Sequence, residues 1–435
     1  MNEYTQLALH HAQPKLYTME NDTMQRLRSK RASKNNSWVR SIKDLIKQLQ
    51  ASAVANRGLV ISIFFLVVST TVERVAFKMG VDLMIPYRIF LAQAFVAVSF
   101  LVYASITAYK LLRTDVITPR MWQFPKLKLL TMAVIDTLSF SGLVISAAGV
   151  TPTMTVILLH ASTPVIVFLS PLVFPNRNYS SAQLRGSWFI CFAIAISITR
   201  SLLEFYNGTE LKSAMCSTFY TACAALQGFG TLYKEKALVD WSQKLDIHFL
   251  STWLFLLQLL VMLAMSPLLY HLQGVSSEWV DYPLTMSAFT HNLSEGWSCL
   301  FKSYDFLKLD FVSCPPQSET GCGCDGSFTL VLIYVLANVV VLESIDNVLQ
   351  ASNAILGRAM TVSVLIAFIA LGVYDNTMDS DVYVRVFGTI GYADILSMVA
   401  LLVGIDYNGT DQEPNVEMIT AFDPIEDEDG VVVEA

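Results

Sequence analysis

The chain has 435 residues, 54% of them hydrophobic and only 15% charged, with a mean hydropathy of +0.49. Soluble domains carry about 25% charge, so this composition excludes an ordinary soluble globule, and the Leu, Ile, Val and Phe of the central stretch exclude disorder there. A chain of this length has room for about ten spans of ~20 residues across a ~30 Å hydrocarbon core, which excludes a single-span receptor.

Residues 1–57 are polar and hold ten Lys and Arg against four Asp and Glu. With no apolar core near the start, no cleaved leader is expected, and the first span should act as its own insertion signal. Bases beside a first span hold a terminus in the cytosol and attract anionic lipid; no nucleic-acid partner is expected. Windows of ~19 residues then give ten apolar runs, near 58–79, 87–109, 127–149, 151–173, 186–203, 214–238, 246–270, 327–349, 354–374 and 382–403. Polar residues interrupt several of them, as in Ser69-Thr70-Thr71-Val72-Glu73-Arg74, so those faces should look into a protein interior or a wet cavity. Spans three and four meet across Gly149-Val150-Thr151-Pro152, where Thr151 can cap and Pro152 can take the first helical position.

Loop bases set the sidedness. Lys110, Arg113, Arg120, Lys126 and Lys128 follow span two, Lys234, Lys236 and Lys244 follow span six, and the turn between spans three and four has none. Both termini are therefore expected in the cytosol, including an acidic tail, 404–435, that holds ten Asp and Glu and no Lys or Arg. The one long connection, 271–326, falls on the lumenal side and carries Cys299, Cys314, Cys322 and Cys324. An even cluster there reads as two disulfides; the alternative is a zinc site, for which Cys322-Gly323-Cys324 is too tight a pair. Cys191, Cys216 and Cys223 fall within spans as small core residues. Asn207 and Asn292 head glycosylation sequons on the expected lumenal side, and Asn178 and Asn408 head others on the cytosolic side.

No P-loop, GxSxG, HExxH or metal-spaced cluster is present, so an enzyme, a cofactor or a resident metal is not expected. What remains is a sparse set of ionisable groups at membrane depth, each of which marks a pathway or a pairing. Glu73 and Arg74 could serve transport or pair with other helices. Asp136 lies mid-span without a local base. His160 is either a satisfied core histidine or part of a polar site with Ser162 and Thr163, where Pro164 would free the His160 carbonyl. Glu343 and Asp346 share a helical face near the cytosolic end, and Asp394 is flanked by Gly388, Gly391 and Ala393, which favour close packing.

Ten spans with both ends cytosolic resemble the drug/metabolite transporter superfamily. Val72-Glu73-Arg74-Val75-Ala76-Phe77-Lys78, Asp136, Leu159-His160-Ala161-Ser162-Thr163-Pro164 and the loop ending Cys322-Gly323-Cys324-Asp325-Gly326 resemble, in order and placement, the chloroquine-resistance-transporter-like family. The resemblance covers about 58–403. It implies an all-α membrane protein of ten transmembrane helices, in two five-helix inverted repeats (about 58–203 and 214–403) around a central cavity. It further implies disulfides Cys299–Cys324 and Cys314–Cys322, and carriage of amino acids, short peptides, thiols or cationic drugs across the membrane of an acidic vacuole or lysosome. Arg74 falls where the family's drug-resistance switch is a lysine, and would repel cationic drugs; Asp136 falls on a cavity aspartate. The expected function is therefore a secondary transporter, monomeric, whose partners are a small solute, lipid and protons. His160 or a mid-span carboxylate is expected to carry the coupling, since imidazole titrates between an acidic lumen and a neutral cytosol. A nucleotide-sugar or other metabolite carrier of the same superfamily is the alternative within transport, and a transport-inactive scaffold or receptor the alternative outside it.

Overall fold

The computed structural model describes residues 57–114, 116–175, 177, 179–206, 211–241, 245–275, 285–302, 324, 326–351, 353–378 and 392–410. The chain divides into two compact units, Met1–Val60 and Ile61–Ala435, and apart from the first residues of the first helix everything below concerns the second. Every regular element among the described residues is helical.

Helix α1 (Arg57–Leu83) ends at a 3-10 turn, Ile85–Tyr87, because Pro86 cannot continue the ladder, and the chain doubles back as α2 (Arg88–Arg113). Pro119 opens a second 3-10 turn, Pro119–Gln123, and Pro125 precedes α3 (Lys126–Ala147). Pro152 takes the first position of α4 (Pro152–Leu159) as expected, but the Thr151 hydroxyl makes no cap hydrogen bond. The fourth apolar run is not one kinked helix: it breaks at His160 and Ala161 and resumes as α5 (Ser162–Val173). Nor is the His160 carbonyl left free, since it accepts the N–H of Thr163 at 3.1 Å. There follow α6 (Ser181–Tyr206), α7 (Leu211–Val239), α8 (Ile247–Val275), α9 (Met286–Lys302), α10 (Ser327–Ala351), α11 (Asn353–Met378) and α12 (Tyr392–Thr410).

Eight stretches among the described residues are long and apolar enough to cross a membrane: Gly58–Leu83, Ile85–Arg113, Lys126–Ala147, Pro152–Val173, Ser181–Leu203, Ile247–Gln273, Ser327–Ile345 and Ile355–Asp375. Phe64, Leu101, Leu172, Trp188 and Phe192 stand exposed on their outer faces, as lipid contact requires. Helices α7 and α12 are long but less apolar, and pack against these stretches: α7 on α3 and α5, α12 on α6 and α11. Gly186 and Gly404 set the α6–α12 approach, for a Cβ on Gly404 would lie 2.7 Å from the Gly186 carbonyl oxygen.

Contacts fix the direction of each helix. Lys78 Nζ, near the end of α1, bonds the Ala147 carbonyl at the end of α3, and the Arg88 guanidinium at the start of α2 reaches carbonyls at the ends of α3 (Ile145) and α8 (Gln273). At the opposite end, Lys110 of α2 meets Asp246 just before α8. These are the Lys78 end and the Lys110 end below. A core of Phe124, Leu129, Met132, Ala237, Leu250 and Leu254 binds α3, α7 and α8 toward the Lys110 end.

The long connection holds a helix that the sequence reading did not anticipate. Phe289, Asn292, Gly296, Cys299 and Leu300 bury one stripe of α9 while Met286 and Trp297 stay exposed. Cys299 is disulfide-bonded to Cys324, with Cα atoms 5.1 Å apart, which ties α9 to the start of α10. Cys314 and Cys322 lie outside the described residues, as do 1–56 and 411–435; the start of the acidic tail, 404–410, is the last part of α12. Among the three remaining cysteines, Cys216 and Cys223 are buried and Cys191 is half-buried.

Candidate functional site

A cavity of about 520 Å³, the size of a small-molecule site, lies among α1, α3, α4, α5, α7, α10, α11 and α12. Its wall toward the Lys78 end is aromatic: Phe77, Phe140, Tyr220 and Tyr334 line it, with Phe77 and Tyr334 ring centroids 6.0 Å apart. Next to Phe77, Lys78 pairs with Asp82 one turn on, at 2.7 Å, and Asp82 lies against the hydroxyl of Tyr374 on α11. That seam joins α1, α3 and α11. In the other direction the lining passes to Gly357 and Met360 in the first turns of α11 and to Ile405 and Asn408 in the last turns of α12.

Five of the residues singled out in the sequence meet here. Glu73 and Arg74 project from α1, and His160, Ser162 and Thr163 surround the α4–α5 break. Asn338 of α10 donates to Glu73 Oε1 at 3.3 Å, while His160 Nε2 makes no hydrogen bond among the described residues. Breaking the helix at His160 turns its polar groups toward the cavity. Gly228 lets α7 close on this turn, because a Cβ there would lie 2.8 Å from the Ser162 Cα.

The other residues stand elsewhere. Asp136 does not line the cavity: the base missing from its own helix comes from α7, where Lys234 Nζ lies 2.6 Å from Oδ2. Glu343 is half-exposed and accepts a hydrogen bond from His248 Nε2 at 2.7 Å. Asp394 is buried and paired with Arg200, linking α12 to α6. Asp346 sits on α10, in the turn after Glu343. Asn292 is buried and donates its amide nitrogen, the atom a glycan would need, to the Pro86 carbonyl at 3.0 Å; Asn207 lies outside the described residues. Among the described residues no three His, Cys, Asp or Glu side chains gather as metal ligands would.

The reading of single residues missed Tyr220, Gln227 and Thr231, which line the cavity from one face of α7 at i, i+7 and i+11. Their periodicity in an otherwise apolar segment was the available signal. The site thus sets a carboxylate beside a guanidinium, with an imidazole and hydroxyls across from them and aromatic rings toward the Lys78 end. Such a surface can hold a small molecule bearing both charges, or a polar one with an apolar body.

Residues 59–405 match the model of the CRT-like, chloroquine-resistance transporter-like, family. Among curated proteins the chain is similar to Protein CLT1, chloroplastic, of Arabidopsis thaliana, 23% identical over 341 residues that cover 77% of this chain and 69% of that protein. Crt homolog 2 of Dictyostelium discoideum is 24% identical over 74% of this chain and 66% of its own length, and Protein CLT3, chloroplastic, of Arabidopsis thaliana 23% identical over 68% and 61%. The chain thus spans about two thirds of the length of these relatives. With the match running from α1 into α12 and the described helices enclosing a solute-sized cavity, the chain belongs to the chloroquine-resistance transporter-like family of membrane transporters.

Proposed function

We propose that this chain is a secondary carrier of small zwitterionic or cationic solutes, amino acids and short peptides foremost, with thiols and cationic drugs in the same class. The observation that carries the reading is the adjacent Glu73 and Arg74 facing His160 in one cavity. An α-ammonium fits the carboxylate, an α-carboxylate the guanidinium, and the aromatic wall an apolar side chain. A nucleotide-sugar carrier would need several cavity bases, whereas Arg74 is the sole Lys or Arg among the described lining residues.

The architecture proposed is ten spans, α4 and α5 counting as one and α9 lying outside, in two inverted five-helix repeats. Contact pairing supports it. If α1, α2, α3, α4–α5 and α6 map onto α7, α8, α10, α11 and α12, then α2–α8, α4–α11 and α6–α12 are their own mates, and α3–α8 has its mate in α2–α10. The α3–α7 packing has its mate in the contacts of α1 with α10. The Lys110 end is the cytosolic one, by its Lys and Arg. Transport is proton-linked, with His160 loading on an acidic vacuolar or lysosomal side and releasing toward the cytosol, so that solute moves out of the organelle. A plastid membrane is the second reading, favoured by the relatives named chloroplastic.

Uptake by purified protein in liposomes, with and without a pH gradient, tests this. Wild type should carry amino acids or short peptides faster when the proton gradient runs with them. Glu73→Gln and Arg74→Gln should lose most of that flux, and His160→Ala its response to the gradient. Gradient-independent uptake removes the coupling, and unchanged uptake in the Glu73 and Arg74 variants removes this site.

A further inference from the structure

Outside the cavity, four titratable groups from three helices meet at the Lys110 end. Lys110 Nζ of α2 lies 2.7 Å from Asp246 Oδ2 and 2.9 Å from His248 Nδ1, and His248 Nε2 lies 2.7 Å from Glu343 Oε1 of α10. An ammonium has no acceptor, so the nitrogen facing Lys110 must be bare and the proton must sit on Nε2, donating to Glu343. The imidazole is therefore held neutral, in one tautomer, as the joint between α2 and α10. A second proton would set an N–H against the ammonium.

We propose that Lys110, Asp246, His248 and Glu343 form a proton-operated latch, in which protonation of His248 expels Lys110 and frees the end of α2 from α8 while tightening α8 on α10. Expulsion follows from the 2.9 Å approach of two like charges. Tightening follows because the bond to Glu343 then joins two full charges of opposite sign, while Asp246 Oδ1, 3.8 Å from Nδ1, offers the new N–H a neighbouring carboxylate. The groups facing His248 fit this balance. Helix α2 brings Lys110 and Tyr103, whose ring centroid is 6.1 Å from the imidazole; α10 brings Glu343; Asp246 precedes His248 itself. From α3, which also packs on α8, Lys126 lies over Trp253, Lys128 pairs with Asp240 and Asp136 with Lys234. From α9, Glu295 pairs with His291.

The Tyr103 hydroxyl, on the ring that lies against the imidazole, is buried without a hydrogen-bond partner among the described residues. The latch rests on these contacts; its effect on transport rests on the carrier reading above.

Hydrogen exchange of the whole protein in lipid nanodiscs between pH 5 and 8, corrected for the chemical exchange rate, separates the two. In wild type, amides at the end of α2 around Lys110 should open severalfold more often at pH 5 than at pH 8, while α10 around Glu343 becomes better protected. His248→Gln offers an uncharged stand-in and should abolish both responses. Lys110→Gln removes the charge to be expelled and should abolish the first and keep the second. A flat wild-type profile, or the wild-type response in His248→Gln, overturns the latch, and a misfolded variant leaves the wild-type titration to decide. Transport that fails in all of them while exchange behaves as stated overturns the carrier reading and not the latch.

Discussion

The two ends of the bundle are fastened by different chemistry. At the Lys78 end the buried guanidinium of Arg88 is held by the carbonyls of Ile85, Ile145 and Gln273, while Lys78 bonds the Ala147 carbonyl as well as Asp82. Most of those acceptors are backbone, and neither a carbonyl nor a guanidinium titrates in any working range. At the Lys110 end the fastening is side chain to side chain, with Glu343 54% exposed beside a buried Asp246 and His248. A joint made to the backbone has fixed partners; a joint of ionisable side chains changes with their charge. The bundle that holds the cavity is thus fastened by one static and one labile joint.

The largest effect should come from breaking the static end. Arg88→Met removes three hydrogen bonds from a charged donor and leaves carbonyls at the ends of two helices without it, which should cost about 3 kcal/mol or more. Melting temperature and monodisperse yield in detergent read this, and the loss should be equal at pH 5 and pH 8. A mild or pH-dependent loss would mean that the two ends are not so different.

Asp246 sharpens the comparison from the labile end. Burial alone would raise its carboxyl, but the Lys110 hydrogen bond, the Phe249 backbone N–H and the charge of Lys110 together hold it below the ordinary carboxylate range. A depressed carboxyl contributes stability above its ordinary value and loses it as pH falls through the depressed one. Asp246→Asn keeps an oxygen for the cap hydrogen bonds to the N–H groups of His248 and Phe249, and so tests the charge alone. The variant should melt lower than wild type by less than about 1 kcal/mol at pH 8, with the gap closing in strong acid. No gap at pH 8 would take the Asp246 charge out of the joint.

Much of the fold was legible, because runs of apolar residues and Pro86, Pro125 and Pro152 mark helices and their ends without tertiary information. Helix α9 was not, although Phe289, Asn292, Gly296, Cys299 and Leu300 carry a helical stripe, since a window built to find spans passes over a short amphipathic helix. At the site, Glu73, Arg74 and His160 were legible as polar groups out of place in apolar runs. Pairings were not. Lys234 lies 98 positions from Asp136 in the chain, and His248 was overlooked because it stands at a span's edge, where a polar residue raises no question until α2 and α10 are brought against it.

The smallest effect belongs to an ion cluster near the same end as the latch but outside it. Asp240 follows α7 and accepts from Lys128 and Lys236, each at 3.1 Å. The hydrogen bonds from Lys236 and then Lys128 hold its carboxyl below the ordinary range, so its contribution is present at neutral pH and fades only in acid. The group is exposed, however, and at physiological ionic strength charges are screened over about 8 Å. Asp240→Asn should therefore leave the melting temperature unchanged within error at 0.15 M salt, with a small loss emerging at low salt and neutral pH. The contrast with Asp246→Asn is the point of the measurement. Both aspartates face lysines at hydrogen-bond distance, and only the one shielded from water and shared with a histidine should matter. Equal losses in the two variants would reduce the latch to ordinary surface charge.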